Sequence, residues 1–134
     1  MPHERSKVKW MDWSTETFEK AKKENKPILL DIFGVWCHWC HRIEEDTYQN
    51  EEIARIINEK FIPVRVDTDK RPDINERYNQ GGWPTTAFLT PSGKLITGMT
   101  YVPPAQMQRV LLEMEEFYKK HKDAEEQELL TAQE

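Results

Sequence analysis

The chain has 134 residues, a formal net charge of −5, 37% hydrophobic residues and a full aromatic complement of five Trp, five Phe and four Tyr. That length holds one domain with a modest core and excludes two, and the aromatic content excludes a wholly disordered chain. Asp123, Glu125, Glu126, Glu128 and Glu134 against Lys122 concentrate the acidity in residues 122–134 and leave the body near neutral, which argues against nucleic acid as a partner.

Ser14 is placed to cap a helix running to about Glu24, with Phe18 and Ala21 on its inner side and Pro27 ending the region. Ile28–Phe33 is short, apolar and partly β-branched, which predicts a buried strand interrupted only by Asp31. Gly34 allows a turn, and the composition is helical from Cys37 to about Thr47. Asn50, Glu51 and Glu52 open another helix with Ile53, Ile56 and Ile57 on one face, and Phe61–Val66 reads as a second strand. Pro72 starts a short helix through Tyr78, and Gly81-Gly82 marks a tight connection into Trp83-Pro84. Thr85–Leu89 is the third strand, Pro91–Lys94 a hairpin turn and Leu95–Tyr101 the returning strand. Pro103-Pro104 begins a last helix, in which Met107, Val110, Leu111, Met114 and Tyr118 form a core stripe.

Strands alternating with helices, then a hairpin and a closing helix, predict an α/β domain over residues 1–121, with a central mixed sheet flanked by helices on both faces. Residues 122–134 are expected to be an acidic frayed tail or a linker. No apolar run reaches the length of a signal peptide or a membrane span. The expectation is a soluble cytoplasmic protein without membrane contact, given a natural start at Met1.

Both cysteines lie in Trp36-Cys37-His38-Trp39-Cys40-His41. At i and i+3 in a first helical turn, Cys37 and Cys40 are close enough to form a reversible disulfide. Cys37, beside free backbone N–H groups, is the natural nucleophile, and Cys40, one turn inward, resolves the mixed disulfide. His38, when protonated, favours the thiolate further, or else is an exposed histidine with little electrostatic effect. Trp36 and Trp39 are candidates for an apolar docking surface, or for packing against the sheet. Asp31, an acid in a buried strand, is a candidate acceptor for the Cys40 proton through water; the plainer alternative is a carboxylate at the strand's polar edge. Cys37-His38-Trp39-Cys40-His41 also satisfies the CxxCH pattern of c-type haem attachment, and Cys37, Cys40 and His41 offer three zinc ligands. Haem would require export, and zinc a fourth ligand, for which only His3 and His121 near the chain ends remain among the histidines.

The strand, buried acid and Trp-Cys-x-x-Cys turn from Ile28 to Cys40, with Gly82-Trp83-Pro84-Thr85 downstream, resemble the thioredoxin superfamily. From about Trp10 to Pro104 the chain is similar to the thioredoxin-like domain of the spermatogenesis-associated protein 20 family. That similarity is carried by Phe18–Pro27, Cys37-His38-Trp39-Cys40-His41, Arg71-Pro72-Asp73, Gly81-Gly82-Trp83-Pro84, Phe88-Leu89-Thr90-Pro91 and Thr100-Tyr101 with Pro103-Pro104. The resemblance implies a thioredoxin fold, thiol–disulfide exchange and a cis Trp83-Pro84 bond facing the dithiol, with Trp83 and Pro84 in the substrate groove. It implies no bound cofactor, a disulfide-containing protein or small thiol as partner, and a recycling reductant or oxidant. It also implies either a free-standing domain or one excised from a longer protein, and leaves a non-catalytic interaction module as the alternative. The sequence departs from the pattern in three places. His38-Trp39 replaces the Gly-Pro of thioredoxins, Trp39 replaces the histidine that protein disulfide isomerase places before the second cysteine, and the lysine accompanying thioredoxin's buried acid is replaced around Pro63.

Overall fold

A computed structural model of the chain describes the backbone of residues 6–133 and the side chains of residues 6–121. The first helix, α1 (Thr15–Glu24), starts where Ser14 accepts a hydrogen bond from the Thr17 amide at 3.2 Å. It stops at Asn25, whose left-handed backbone (φ 57°) returns its amide to the carbonyls of Ala21 and Lys22. Ser14→Ala should cost about 1 kcal/mol, read as a lower urea midpoint with an unchanged slope.

Strand β1 (Ile28–Phe33) is buried along its whole length because it has a strand on each side and helices above and below. It pairs in parallel with β2 (Ile62–Asp67), from Ile28↔Ile62 to Phe33↔Asp67, and antiparallel with β3 (Thr85–Leu89). Strand β4 (Leu95–Met99) follows the hairpin and makes the far edge, giving the order β2-β1-β3-β4. At the other edge Met11 bridges to Val64, its amide donating to the Pro63 carbonyl while the Arg65 amide donates to the Met11 carbonyl.

Strand alternation divides the core into two layers. Leu29 and Phe88 meet α3 (Glu51–Lys60) and α5 (Pro104–Gln133) through Ile53, Ile57, Met107 and Leu111. Ile28, Leu30 and Ile32 meet α1 and α4 (Pro72–Tyr78) through Ala21, Ile74 and Tyr78 on the opposite face. The predicted mixed sheet with helices on both faces is therefore present, and Asp31 and Phe33 share the face of Leu29.

Two elements differ from expectation. The helix expected to run to Thr47 is α2 (His38–Ile43) followed by a π turn, Glu44–Tyr48, in which the Gln49 amide reaches the Glu44 carbonyl. The wider turn rotates Thr47 and Tyr48 into the core, where the Thr47 hydroxyl donates to the Val102 carbonyl at 2.7 Å. The returning strand ends at Met99, two residues early, because Tyr101 leaves the sheet to donate its hydroxyl to Asp46 at 2.8 Å.

In α5, Met107, Leu111 and Tyr118 are buried, while Val110 and Met114 pack half-buried against the core. The α5 backbone is helical to Gln133, but the side chains of the expected acidic tail lie outside the described residues. Among the described residues no helix is long and apolar enough to cross a membrane.

Candidate active site

Cys37 is the N-cap of α2, and its sulfur accepts the Cys40 amide at 3.1 Å. This short cap places the two cysteines 5.2 Å apart at Cα and joins their sulfurs in a disulfide. Cys37 is 6% exposed and Cys40 1%, so what access there is lies at Cys37, and both pack on Phe33 at the end of β1.

Around the sulfurs stands an aromatic rim. Trp36 and Trp39 are 57% and 54% exposed, so neither is packed in the core. Trp36 meets Trp83 edge-on, with ring centroids 5.4 Å apart, which joins the CxxC loop to the loop before β3. Each indole is anchored, Trp36 Nε1 donating to Asp69 and Trp83 Nε1 to Asn75, both at 3.0 Å. Trp39 lies between His38 and Tyr101, at centroid distances of 5.4 and 5.2 Å. The Trp83-Pro84 bond is cis, and Pro84 is buried behind exposed Trp83. His41 Nε2 makes a 3.0 Å hydrogen bond with the Val35 carbonyl, which ties its ring to the loop. Among the described residues no group of three or more His, Cys, Asp or Glu is arranged to hold a metal ion.

Gly34 makes room for this rim. A Cβ there would stand 2.6 Å from Trp36 Cε2, so the indole would have to shift, straining its bond to Asp69 and its contact with Trp83. Gly34→Ala should therefore change the tryptophan emission, with a small drop in the urea midpoint because the strained contacts lie at the surface.

Asp31 is buried, and its Oδ2 accepts from Arg65 Nε at 2.8 Å. Arg65 is its register partner on β2, equally buried, and its second arm donates to Glu44 at 2.6 Å. The Trp10 ring covers the guanidinium, 4.2 Å from centroid to Cζ. Burial works to lower the pKa of Arg65, but the charges and hydrogen bonds of Asp31 and Glu44 outweigh it and raise the net value. Burial, followed by the negative charge of Asp31, pushes the Tyr48 phenol well above its ordinary value.

A cation thus stands beside the buried acid. It is an arginine at 65, where the resemblance suggested a lost lysine near Pro63. Sequence reasoning passed over Arg65, Glu44, Trp10 and Tyr101. A signal existed for Arg65, since a charge inside Ile62-Pro63-Val64-Arg65-Val66 poses the same burial problem as Asp31.

The family described as "Thioredox_DsbH: Protein of unknown function, DUF255" matches residues 1–133. The chain belongs to this family. Within the wider kinship, spermatogenesis-associated protein 20 of Rattus norvegicus is 46% identical over 112 residues, or 78% of this chain. The aligned part is 14% of that relative, so the chain spans only a small share of its length. Disulfide bond reductase DsbH of Chlamydia pneumoniae is 25% identical over 108 residues, covering 72% of this chain and 64% of that protein. The solved structure of a thioredoxin from Thermus thermophilus superposes with a TM-score of 0.70 at 18% identity, covering 81% of this chain and 87% of that one. The fold is the thioredoxin fold.

Proposed function

We propose that this domain is a thiol–disulfide oxidoreductase that exchanges the Cys37–Cys40 pair with a disulfide-containing protein or a small thiol. The observation that carries the proposal is the pairing itself, with the outer sulfur capping a helix and the inner one shielded. The Chlamydia pneumoniae relative, named a disulfide bond reductase, supports the same chemistry.

In the reducing direction the Cys37 thiolate attacks one sulfur of the partner's disulfide. A mixed disulfide forms, and the other partner sulfur leaves as a thiolate that takes a proton from water. Cys40 then gives up its proton, attacks the Cys37 sulfur and releases the second partner thiolate, which is protonated in turn. Two electrons pass to the partner, and the domain ends as the disulfide. The oxidising direction is the reverse. The electrons reside in the two sulfurs, so the cycle needs a recycling partner and no bound cofactor.

Trp36, Trp39 and Trp83 offer apolar contact to a polypeptide partner, His38 adds an exposed polar group at the helix start, and Pro84 shapes the groove beside them. Trp36→Ala should raise KM for a disulfide-bonded protein several-fold while leaving the rate with a small symmetrical disulfide nearly unchanged. Equal rates with both substrates in wild type and variant would remove the rim from substrate binding.

Mixing the reduced protein with a disulfide substrate tests the function itself. Turnover that disappears in Cys37→Ser supports the enzyme, and turnover unchanged by that replacement leaves the non-catalytic interaction module.

A further inference from the structure

We propose that Asn75 is a positioning residue of the dithiol site, fixing the Trp83 indole against Trp36 so that the domain favours a polypeptide disulfide with a large apolar residue beside its cysteine over a small disulfide. The proposal rests on the exchange activity above and adds the residue that sets its selectivity.

Asn75 lies in α4, eight residues before Trp83. Its Oδ1 accepts two hydrogen bonds at once, from Trp83 Nε1 at 3.0 Å and from Asn79 Nδ2 at 2.9 Å. Asn79 Oδ1 in turn accepts the amides of Gly81 and Gly82, at 2.8 and 3.0 Å. The indole and the two glycine amides can only donate, which fixes the end of each asparagine side chain that faces them. A continuous hydrogen-bonded line therefore joins α4, the loop backbone and the indole before Pro84.

The loop is closed on itself elsewhere as well. The Gln80 amide donates to Thr85 Oγ1 at 3.1 Å, and the Thr85 hydroxyl donates to the Gly82 carbonyl at 2.8 Å. The consecutive amides of Gln80, Gly81 and Gly82 are thus satisfied within the loop, and its shape does not wait for a partner. At Gly81 a Cβ would meet nothing within 4 Å, so the demand for glycine there comes from the backbone, whose φ is 100°.

Trp36 links the indole held in this way to the dithiol. Trp83 is 36% exposed and meets Trp36 edge-on, and Trp36 immediately precedes Cys37. Asp69, which follows β2, ties the Trp36 indole as Asn75 ties that of Trp83. Two partly exposed indoles held in fixed orientations offer apolar contact without the loss of side-chain freedom that binding otherwise costs. A large apolar side chain beside the partner's cysteine gains from that wall, whereas a small disulfide reaches Cys37 without it.

Asn75→Leu removes the acceptor at similar volume with a residue that suits a helix, and the hydrogen bond it breaks is exposed, so the urea midpoint should change little. Steady-state exchange is read with three probes: hydroxyethyl disulfide and two peptides of equal length, each closed by one disulfide, with leucine or glycine beside the cysteines. In Asn75→Leu, KM for the leucine peptide should rise about fivefold at unchanged kcat, while the glycine peptide and hydroxyethyl disulfide react as with the wild type. Asn75→Asp, which keeps the acceptor oxygen, should retain the wild-type KM.

An unchanged KM for the leucine peptide in Asn75→Leu overturns the proposal, and so does an equal loss with all three probes, the mark of a purely structural role. A KM raised equally in Asn75→Asp removes the hydrogen bond as the cause and overturns it too. Turnover of hydroxyethyl disulfide by the wild type leaves the exchange activity standing in each case, and its absence contradicts that activity instead. The Trp83 indole N–H of the wild type reports the hydrogen bond whether or not the variants fold. Its exchange with deuterated solvent should be about tenfold slower than that of free tryptophan, and exchange at the free rate overturns the proposal.

Discussion

Cys37→Ser is expected to bring disulfide exchange down to the uncatalysed background, the largest effect of any single replacement in the domain. Cys37 is the more accessible of the two sulfurs and the one at the helix start. A serine hydroxyl in its place stays protonated and does not exchange with sulfur. Cys40→Ser should behave differently, because the first attack survives while resolution fails, and the partner should accumulate as a mixed disulfide on Cys37. Non-reducing electrophoresis or intact-mass measurement separates the outcomes, a covalent adduct with Cys40→Ser and none with Cys37→Ser. The opposite pattern would exchange the roles of the two cysteines.

Arg65→Met is expected to have the largest effect on stability. The side chain joins Asp31 and Glu44 in a site closed by Trp10, and removing one partner of a buried ion pair costs about 3–5 kcal/mol. A domain of ordinary stability holds only about 5–15 kcal/mol, so the variant should unfold at a much lower urea concentration.

The loss should depend on pH. Without the guanidinium the folded state holds Asp31 protonated to a higher pH than the unfolded chain does, and so binds more protons. Stability then falls as pH rises, by about 1.4 kcal/mol per unit between the ordinary carboxylate range and the raised folded value. Below the ordinary range the contribution vanishes, because Asp31 is neutral in both states. Asp31→Asn combined with Arg65→Met should remove that slope and recover part of the loss. Urea midpoints across pH check both statements, and a pH-independent deficit in Arg65→Met would contradict the ion-pair explanation.

The local elements were legible in the sequence wherever one residue carries a strong backbone preference. Ser14 caps α1, Asn50 caps α3 and Pro72 opens α4 as expected, because capping and proline geometry act within one turn. Strand β1 was legible because six nearly apolar residues suit only a position covered on both faces. The π turn was not, since Glu44–Tyr48 has ordinary helical composition and widens where Thr47 and Tyr48 pack inward.

The site was legible in part for the same reason. Cys37 and Cys40 meet through their spacing alone, but Trp10, Glu44 and Arg65 come together from an N-terminal strap, a helix end and a second strand. Arg65 also shares its strand face with Pro63, where a lost lysine was sought, so a shift of two residues hid a cation that alternation keeps on the side of Asp31. Tyr101 was assigned to β4, and only its bond to Asp46 and its contact with Trp39 bring it to the aromatic rim.

Equilibrating the protein with defined ratios of reduced and oxidised glutathione, then alkylating free thiols and measuring intact mass, tests the redox couple most directly. Exchange at this site predicts a reversible two-electron transition in which Cys37 and Cys40 change together from two alkylated thiols to none. The midpoint would then assign the direction of flow, since thioredoxin-like and DsbA-like potentials lie about 150 mV apart. A protein in which Cys37 and Cys40 stay in one state at every ratio, or change independently of each other, would contradict it.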